Sequence, residues 1–235
     1  MQLLPNLFSK RLCLWMEEQN TLVIGDVHVG YDEELNAKGV LIPKVHTDDI
    51  FSELEKTLEL VSPDKIVLIG DIKHEFGRIS EEEWRHTLRL IDFLAEKAEL
   101  YLIKGNHDTI LGPIAQKRNI KVVDHLVFGD TLLLHGHKLP SEDLLQNVET
   151  IIMGHEHPSV SLADGVRVEK YKCFLVGEWK QRNLVVVPSI NTLVWGTDVL
   201  REKLLSPFLT DVSSFRVFIV ENQKVLNFGL VKDLL

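Results

Sequence analysis

Five short apolar runs in this chain each end in a polar cluster of the same chemical kind, and that repetition constrains the fold more than any other feature. Residues 21–24 lead into Asp26-Val27-His28, 66–69 into Gly70-Asp71, 100–103 into Gly105-Asn106-His107-Asp108, 132–134 into His135-Gly136-His137, and 151–153 into Gly154-His155-Glu156-His157. Each run has strand length and is bounded by turn-forming residues, so it predicts a buried strand. Each cluster brings carboxylate, carboxamide or imidazole donors where an ordinary turn would bring only backbone-bending residues. A sheet scaffold that presents one loop-borne site at its strand ends accounts for all five.

Metals that activate water are held by mixed oxygen and imidazole donors, and two ions side by side need one carboxylate to share. The five clusters supply that inventory. Gly-Asn-His-Asp is the most selective, arising by chance in a chain of this length on the order of once in a thousand at ordinary residue frequencies. Asp-x-His and Gly-Asp are weak singly, and Gly-His-x-His is intermediate. Residues i and i+2 of a strand share a face, so Asp26 with His28, and His155 with His157, point the same way if the strands run on through them. Alone, Asp26 also reads as a strand-end cap and Gly105-Asn106 as a tight turn. Recurrence of all five in order weakens those plainer readings.

Taken together, Asp26-x-His28, Gly70-Asp71, Gly105-Asn106-His107-Asp108, His135-Gly136-His137 and Gly154-His155-x-His157 resemble the five motifs of calcineurin-like metallophosphoesterases, over nearly the whole chain. Residues 70–77, 188–191 and 196–198 are further similar to the ICC-like branch common in archaea and bacteria, which includes a ligase-associated endonuclease group. The resemblance implies an α/β fold: a four-layer αββα sandwich of two mixed β-sheets flanked by helices, with the site at the carboxyl ends of the central strands. It implies two divalent metal ions, Mn²⁺ foremost and Fe, Zn or Mg as alternatives. Asp26, His28 and His157 would hold one ion, Asn106, His135 and His155 the other, with Asp71 bridging. His107 would sit beside the phosphate as general acid or electrostatic stabiliser, oriented by Asp108, while a metal-bridging hydroxide attacks phosphorus in line. His74 departs from the pattern, because many relatives carry an aspartate or asparagine three residues after the bridging carboxylate. It either contacts substrate or holds a ligand in place. His137 shares parity with His135 and is a candidate for substrate contact, the alternative being a loop contact that shapes the turn.

The implied activity is metal-dependent phosphoester hydrolysis. A phosphodiesterase or nuclease acting on single-stranded or small nucleic-acid substrates in DNA repair is the leading expectation, with a helicase or ligase as partner. The alternatives are a phosphomonoesterase or nucleotide phosphatase, and a non-catalytic protein-binding scaffold. A retired enzyme has no reason to keep seven ligands together with His107 and Asp108, which favours the enzyme. The formal net charge of −9 argues against long-range attraction of polyanions. Arg167, Lys170, Lys172, Lys180 and Arg182 cluster against only Glu169 and Glu178, which predicts either a basic face or, preferably, a solvated hairpin of mixed charge.

The 235 residues, 45% of them hydrophobic, predict one globular domain spanning 1–235. No stretch approaches the roughly 18 apolar residues of a membrane helix. The apolar residues 1–16 contain Pro5 and Lys10-Arg11 and read as a first strand, not a signal. Cys13 and Cys173 lie in alternating apolar stretches and read as buried free thiols, so the expectation is a soluble cytoplasmic protein with no membrane partner. Periodicity further predicts a strand at 11–16, a polar loop at 31–44, and a helix at 47–60 capped by Thr47. A second helix follows a Ser80/Glu83 capping box, and a third, shorter one covers 110–117. Strands are predicted at 121–123, 131–134, 173–176, 184–187, 215–220 and 224–230. His46, His86 and His125 lie outside the clusters and receive no role. The four tryptophans read as core or hairpin residues, with Trp195 alternatively lining the substrate cleft. Lys38 and Lys44 belong to a loop that reads as solvated, although its position would let either meet a substrate phosphate.

Overall fold

In the computed structural model, residues 1–40, 46–74, 80–108, 112, 115, 117–118, 120–222 and 224–235 are described. The chain opens as an antiparallel meander of β1 (Gln2–Leu4), β2 (Leu7–Lys10), β3 (Cys13–Met16) and β4 (Thr21–Ile24). Helices α1 (Tyr31–Ala37) and α2 (His46–Leu58) lead to β5 (Lys65–Ile69), and α3 (Glu81–Ala95) leads to β6 (Glu99–Ile103) and then β7 (Lys121–Val123). Strands β4 to β7 are parallel neighbours, so the carboxyl ends of β4, β5 and β6 lie on one edge of a seven-stranded sheet ordered β1 to β7.

The second sheet is built from β8 (His125–Phe128), β9 (Thr131–Leu134), β10 (Thr150–Met153), β11 (Ser159–Asp164), β12 (Arg167–Trp179), β13 (Arg182–Val186), β14 (Arg216–Glu221) and β15 (Lys224–Leu230). Its order is β15-β14-β12-β13-β10-β9-β8, with β11 paired to the first half of β12. Here β9, β10 and β13 are parallel.

Three buried clusters correspond to the three interfaces of a layered sandwich. Leu14, Val23, Val67 and Ile69 of the first sheet meet Phe174, Val185 and Phe218 of the second. On the first sheet's outer face, Ile50 and Leu54 of α2 and Ile91 and Leu94 of α3 pack on Leu22, Ile66 and Leu102. On the second sheet's outer face, Leu132, Ile151 and Leu184 are covered by Leu145 of a 3-10 turn (Glu142–Leu145) and by Phe208, Leu209 and Val212. The architecture is two mixed sheets flanked by few helices. Among the described residues, the cover of the second sheet is irregular chain, not α-helix.

Several elements differ from expectation. Residues 1–16 form three strands, not one, because Asn6 (φ 59°) and Arg11 (φ 57°) turn the chain back in the left-handed region. The expected polar loop begins as α1, whose first-turn Asp32, Glu33 and Glu34 suit a helix N-terminus. The expected strand 173–176 is the centre of the 13-residue β12, whose charged first half pairs with β11 and has no apolar face to betray it. Thr47 lies one residue inside α2, within the usual uncertainty of helix ends. Ser80 caps α3 by accepting from the Glu83 N–H at 2.9 Å. The third helix, 110–117, falls mostly outside the described residues, as does Lys44. Both cysteines are buried free thiols, and burial pushes both well above the usual range.

Candidate active site

The five clusters converge where the carboxyl ends of β4, β5 and β6 meet those of β9 and β10, the position at which α/β sheets commonly present ligand sites. The strands stop before the clusters begin: His28 (φ 48°), Asp71 (φ 30°), His155 (φ 67°) and His157 (φ 47°) all lie in the left-handed region. The strand-parity expectation for Asp26/His28 and His155/His157 is therefore corrected, since these pairs are gathered by turns and not by a shared pleat. Four side-chain-bearing residues in that region cost about 1–3 kcal/mol each, the kind of local strain that collects at functional sites.

Backbone hydrogen bonds register the turns. Val27 and His28 N–H donate to the Asp71 carbonyl at 3.1 and 2.9 Å, and Val29 N–H donates to the Ile72 carbonyl at 2.9 Å. The glycines of the motifs permit the close approach. A Cβ on Gly70 would lie 2.0 Å from His135 Nδ1, and one on Gly154 would lie 2.4 Å from Asp26 Oδ2.

Two sets of donor atoms result. In one, His157 Nε2 lies 3.2 Å from Asp26 Oδ2 and 3.3 Å from His28 Nε2. In the other, His135 Nε2 lies 3.0 Å from Asn106 Oδ1, 3.1 Å from His155 Nδ1 and 3.4 Å from Asp71 Oδ2. Asp26 links the two, since its Oδ1 approaches His135 Nδ1 at 3.3 Å, and neither of these buried atoms makes a hydrogen bond. Asp26/His28/His157 and Asp71/His135/His155 each bring three donor atoms within 4.8 Å of one another. Imidazole nitrogens that face each other at 3.1–3.3 Å need either a shared proton or a cation between them. This chemistry fits divalent metal.

The electrostatics agree. Burial alone would raise the Asp26 carboxyl, yet His157, His135 and His28 together hold it below the usual carboxylate range. Burial lowers His28 to about 3 and, with His135, His155 to about 4, which leaves both imidazoles neutral with lone pairs to offer. Burial opposes charge on His135 as well, but Asp26 and Asp71 overcome it and raise the group.

His107 lies against this centre. Its N–H donates to Asp71 Oδ1 at 2.9 Å, its Nε2 is 3.7 Å from Asp71 Oδ2, and its Nδ1 donates to the His74 carbonyl at 2.5 Å. The Asp108 carboxylate accepts the backbone N–H groups of Gly105 (3.0 Å), Ile72 (3.0 Å) and Lys73 (3.4 Å). His74 Nδ1 lies 3.3 Å from His28 Nδ1, while its Nε2 is paired with Glu34, which also pairs with Lys38. His137 is half-buried beside the second donor set, its ring centroid 5.2 Å from that of His135 and 6.1 Å from that of His155.

Glu34, Glu83, Ser189 and Asn191 carry no site role in the sequence reading, where Glu83 serves only as a helix cap. Glu34 sits on a helix that hydropathy hid, and Glu83 Oε1 accepts the His74 N–H at 2.8 Å. Asn191 Nδ2 donates to the Val27 and His28 carbonyls at 2.8 and 3.1 Å. The 188–191 stretch was visible only as part of the resemblance.

The cations of 167–182 are committed locally. Arg167 pairs with Glu169, Lys170 with Glu202, Lys180 with Glu142, and Lys172 is buried against the Ser189 and Asn191 carbonyls. This is the mixed-charge hairpin, not a basic face. Among the described residues, no helix is long and apolar enough to cross a membrane.

Residues 20–196 match the model of the calcineurin-like phosphoesterase family, and the chain belongs to that family. It is a metal-dependent phosphoester hydrolase. The chain is similar to the Pseudomonas putida nuclease MPE, with a TM-score of 0.64 and 18% identity over 93% of each chain. It is more distantly similar to the phosphoesterase YfcE of E. coli, with a TM-score of 0.44 and 14% identity over 89% of this chain and 98% of that one. No curated protein sequence matches it.

Proposed function

We propose that this chain is a dinuclear phosphodiesterase that cleaves single-stranded or small nucleic-acid substrates, with a helicase or ligase as partner. The observation that carries the dinuclear part is the double convergence of donors, with imidazole nitrogens facing one another at 3.3 Å in one set and 3.1 Å in the other. Asp26, His28 and His157 would hold one ion, Asn106, His135 and His155 the other, with Asp71 shared. Divalent ions held there, Mn²⁺ foremost, supply charge neutralisation at the phosphate oxygens and an activated water.

The remaining roles fall to the chain itself. His107 keeps its Nδ1 proton on the His74 carbonyl, which leaves Nε2 facing the centre to pass a proton to the leaving oxygen. His74 holds His28: with Nε2–H donated to Glu34, its Nδ1 accepts the His28 Nδ1 proton and leaves His28 Nε2 free to ligate. Asp108 ties the Asp71 loop to the Asn106-His107 loop. His137 borders the second donor set, where it can meet a phosphate oxygen.

The substrate class follows from charge. With −9 overall and the hairpin cations paired, the hairpin offers no free basic track for a long duplex, and a small diester needs none. The shared fold with a nuclease is compatible with diester cleavage. The test combines metal analysis, which should find two ions per chain and activity abolished by chelator, with a substrate panel. Bis-aryl phosphodiesters and single-stranded oligonucleotides should surpass aryl phosphomonoesters in kcat/KM. Monoesters winning by tenfold, about 1.4 kcal/mol of transition-state discrimination, would make the protein a phosphatase.

A further inference from the structure

The strap from Pro188 to Asp198 has the candidate centre on one side and a cleft on the other. Towards the centre, Ser189 Oγ and the Ile190 N–H both donate to the Asp26 carbonyl, at 2.8 and 3.1 Å. Gly196 packs so closely on His157 that a Cβ there would fall 1.6 Å from the His157 carbonyl oxygen. On the opposite side, Lys172 Nζ donates to the Ser189 and Asn191 carbonyls, and Lys170 Nζ donates to the Gly196 carbonyl at 2.7 Å. Beyond these lysines opens a cleft of about 550 Å³, whose lining includes Tyr171, Thr192, Trp195 and Asn222.

Charge excludes a free anion as its occupant. Arg11 is ion-paired with Glu53, Lys170 with Glu202, and Lys172 is buried on two carbonyls. In the cleft walls, Arg11, Lys170 and Lys172 stand against Glu53, Glu169 and Glu221, which leaves no excess positive charge. What the cleft does offer is the Trp195 indole, 54% exposed at its wall, with hydroxyl, carboxamide and carboxylate groups around it. A flat, neutral aromatic ring with a hydrogen-bonding edge matches that combination, because stacking on an indole is indifferent to net charge. We propose that this cleft is a nucleobase subsite, in which a base next to the scissile phosphate stacks on Trp195 while the strap holds that phosphate's neighbourhood in register with the centre. The proposal rests on the diesterase reading and specifies which part of the strand is gripped.

Adenosine carries no phosphate, so its binding to the metal-free protein tests the cleft apart from the chemistry. Titration at millimolar concentration should quench tryptophan fluorescence saturably in the wild type and not in Trp195→Phe, whose other three tryptophans remain as a folding control. In the kinetic arm, an intact single-stranded oligonucleotide and one made abasic around the cleavage site are compared. The wild type should favour the intact strand by about tenfold, and Trp195→Ala should erase most of that preference through KM, the scale expected for one base–aromatic stack. An adenosine quench that persists in Trp195→Phe, absence of any quench, or equal loss in Trp195→Ala on intact and abasic strands would overturn the subsite. If the wild type cleaves no oligonucleotide at all, it is the diesterase reading that fails, and the adenosine titration alone then decides the cleft.

Discussion

Asp108 separates two accounts of the same residue. If it served only to orient His107, Asp108→Ala would lose activity and keep its stability. The structure instead gives its carboxylate two good backbone bonds, from Gly105 and Ile72 at 3.0 Å each, and a longer one from Lys73 at 3.4 Å, at a side chain 1% exposed. Leaving a buried donor unpaired costs about 1–3 kcal/mol. Truncation therefore destabilises by about 3–5 kcal/mol, a fall in Tm of about 10 °C at 2–4 °C per kcal/mol for a chain of this size. Asp108→Asn can keep one oxygen for Ile72 and Lys73 but turns an NH₂ on the Gly105 N–H, so it should lose about a third as much. Burial and Asp71 push the carboxyl up to about 7, above its unfolded value of 3.8. A group raised in this way contributes most at acid pH and loses that contribution as pH rises through about 7. The gap between wild type and Asp108→Ala should thus narrow on going from about pH 5 to pH 8. Calorimetry of the metal-free proteins measures both quantities without interference from ligand loss. A Tm for Asp108→Ala within a degree or so of wild type at about pH 5, or a gap that does not narrow towards pH 8, refutes the account.

Three other outcomes are expected. His107→Ala should retain both metals and slow turnover by roughly a hundredfold or more, with a smaller loss for aryl leaving groups that depart without a proton; equal losses for aryl and alkyl esters would exclude proton delivery. Glu34→Ala should weaken binding at one of the two metal positions by about 10–100-fold by freeing His74 and hence His28, with Glu34→Gln intermediate, as followed by competitive chelation; unchanged affinity at both positions would leave His74 free for another role. Lys172 is pushed down to about 7 by burial against an ordinary 10.5, so between those values the unfolded chain binds the extra proton and stability rises with pH. Denaturation across that window should show the rise in wild type and a flatter profile in Lys172→Met, and parallel profiles would contradict it.

The donor atoms were legible in the sequence and their supports were not, for a physical reason. A metal ligand must be one of a few residue types, and each candidate here follows an apolar strand, so Asp26, Asp71, Asn106, His135 and His155 stand out as candidates by composition and position. Their supports act largely through the backbone, and backbone bonds carry no sequence signature. The resemblance implies that Asp108 orients His107, and no sequence signal reveals that its carboxylate also accepts from residues 36 and 35 positions earlier in the chain. The strand-parity argument failed because it extended the pleat past Ile24 and Met153, whereas the clusters occupy left-handed turns in which i and i+2 no longer share a face.

Residue 74 shows what such second-layer order achieves. Its N–H is accepted by Glu83 of α3, its carbonyl accepts the His107 Nδ1 proton, and its ring joins His28 to Glu34 of α1. One residue thereby couples the tautomer of the candidate proton donor to that of a candidate ligand. Both couplings depend on α1 and α3 being in place, and neither helix contributes a candidate ligand to either donor set. An aspartate or asparagine at this position could accept from His28 but, being shorter, would not reach Glu34 in the same geometry. The histidine therefore suits a chain that carries an acidic first turn on α1, and the two features are best understood as one device. The departure at position 74 then links a candidate ligand to a carboxylate on the neighbouring helix.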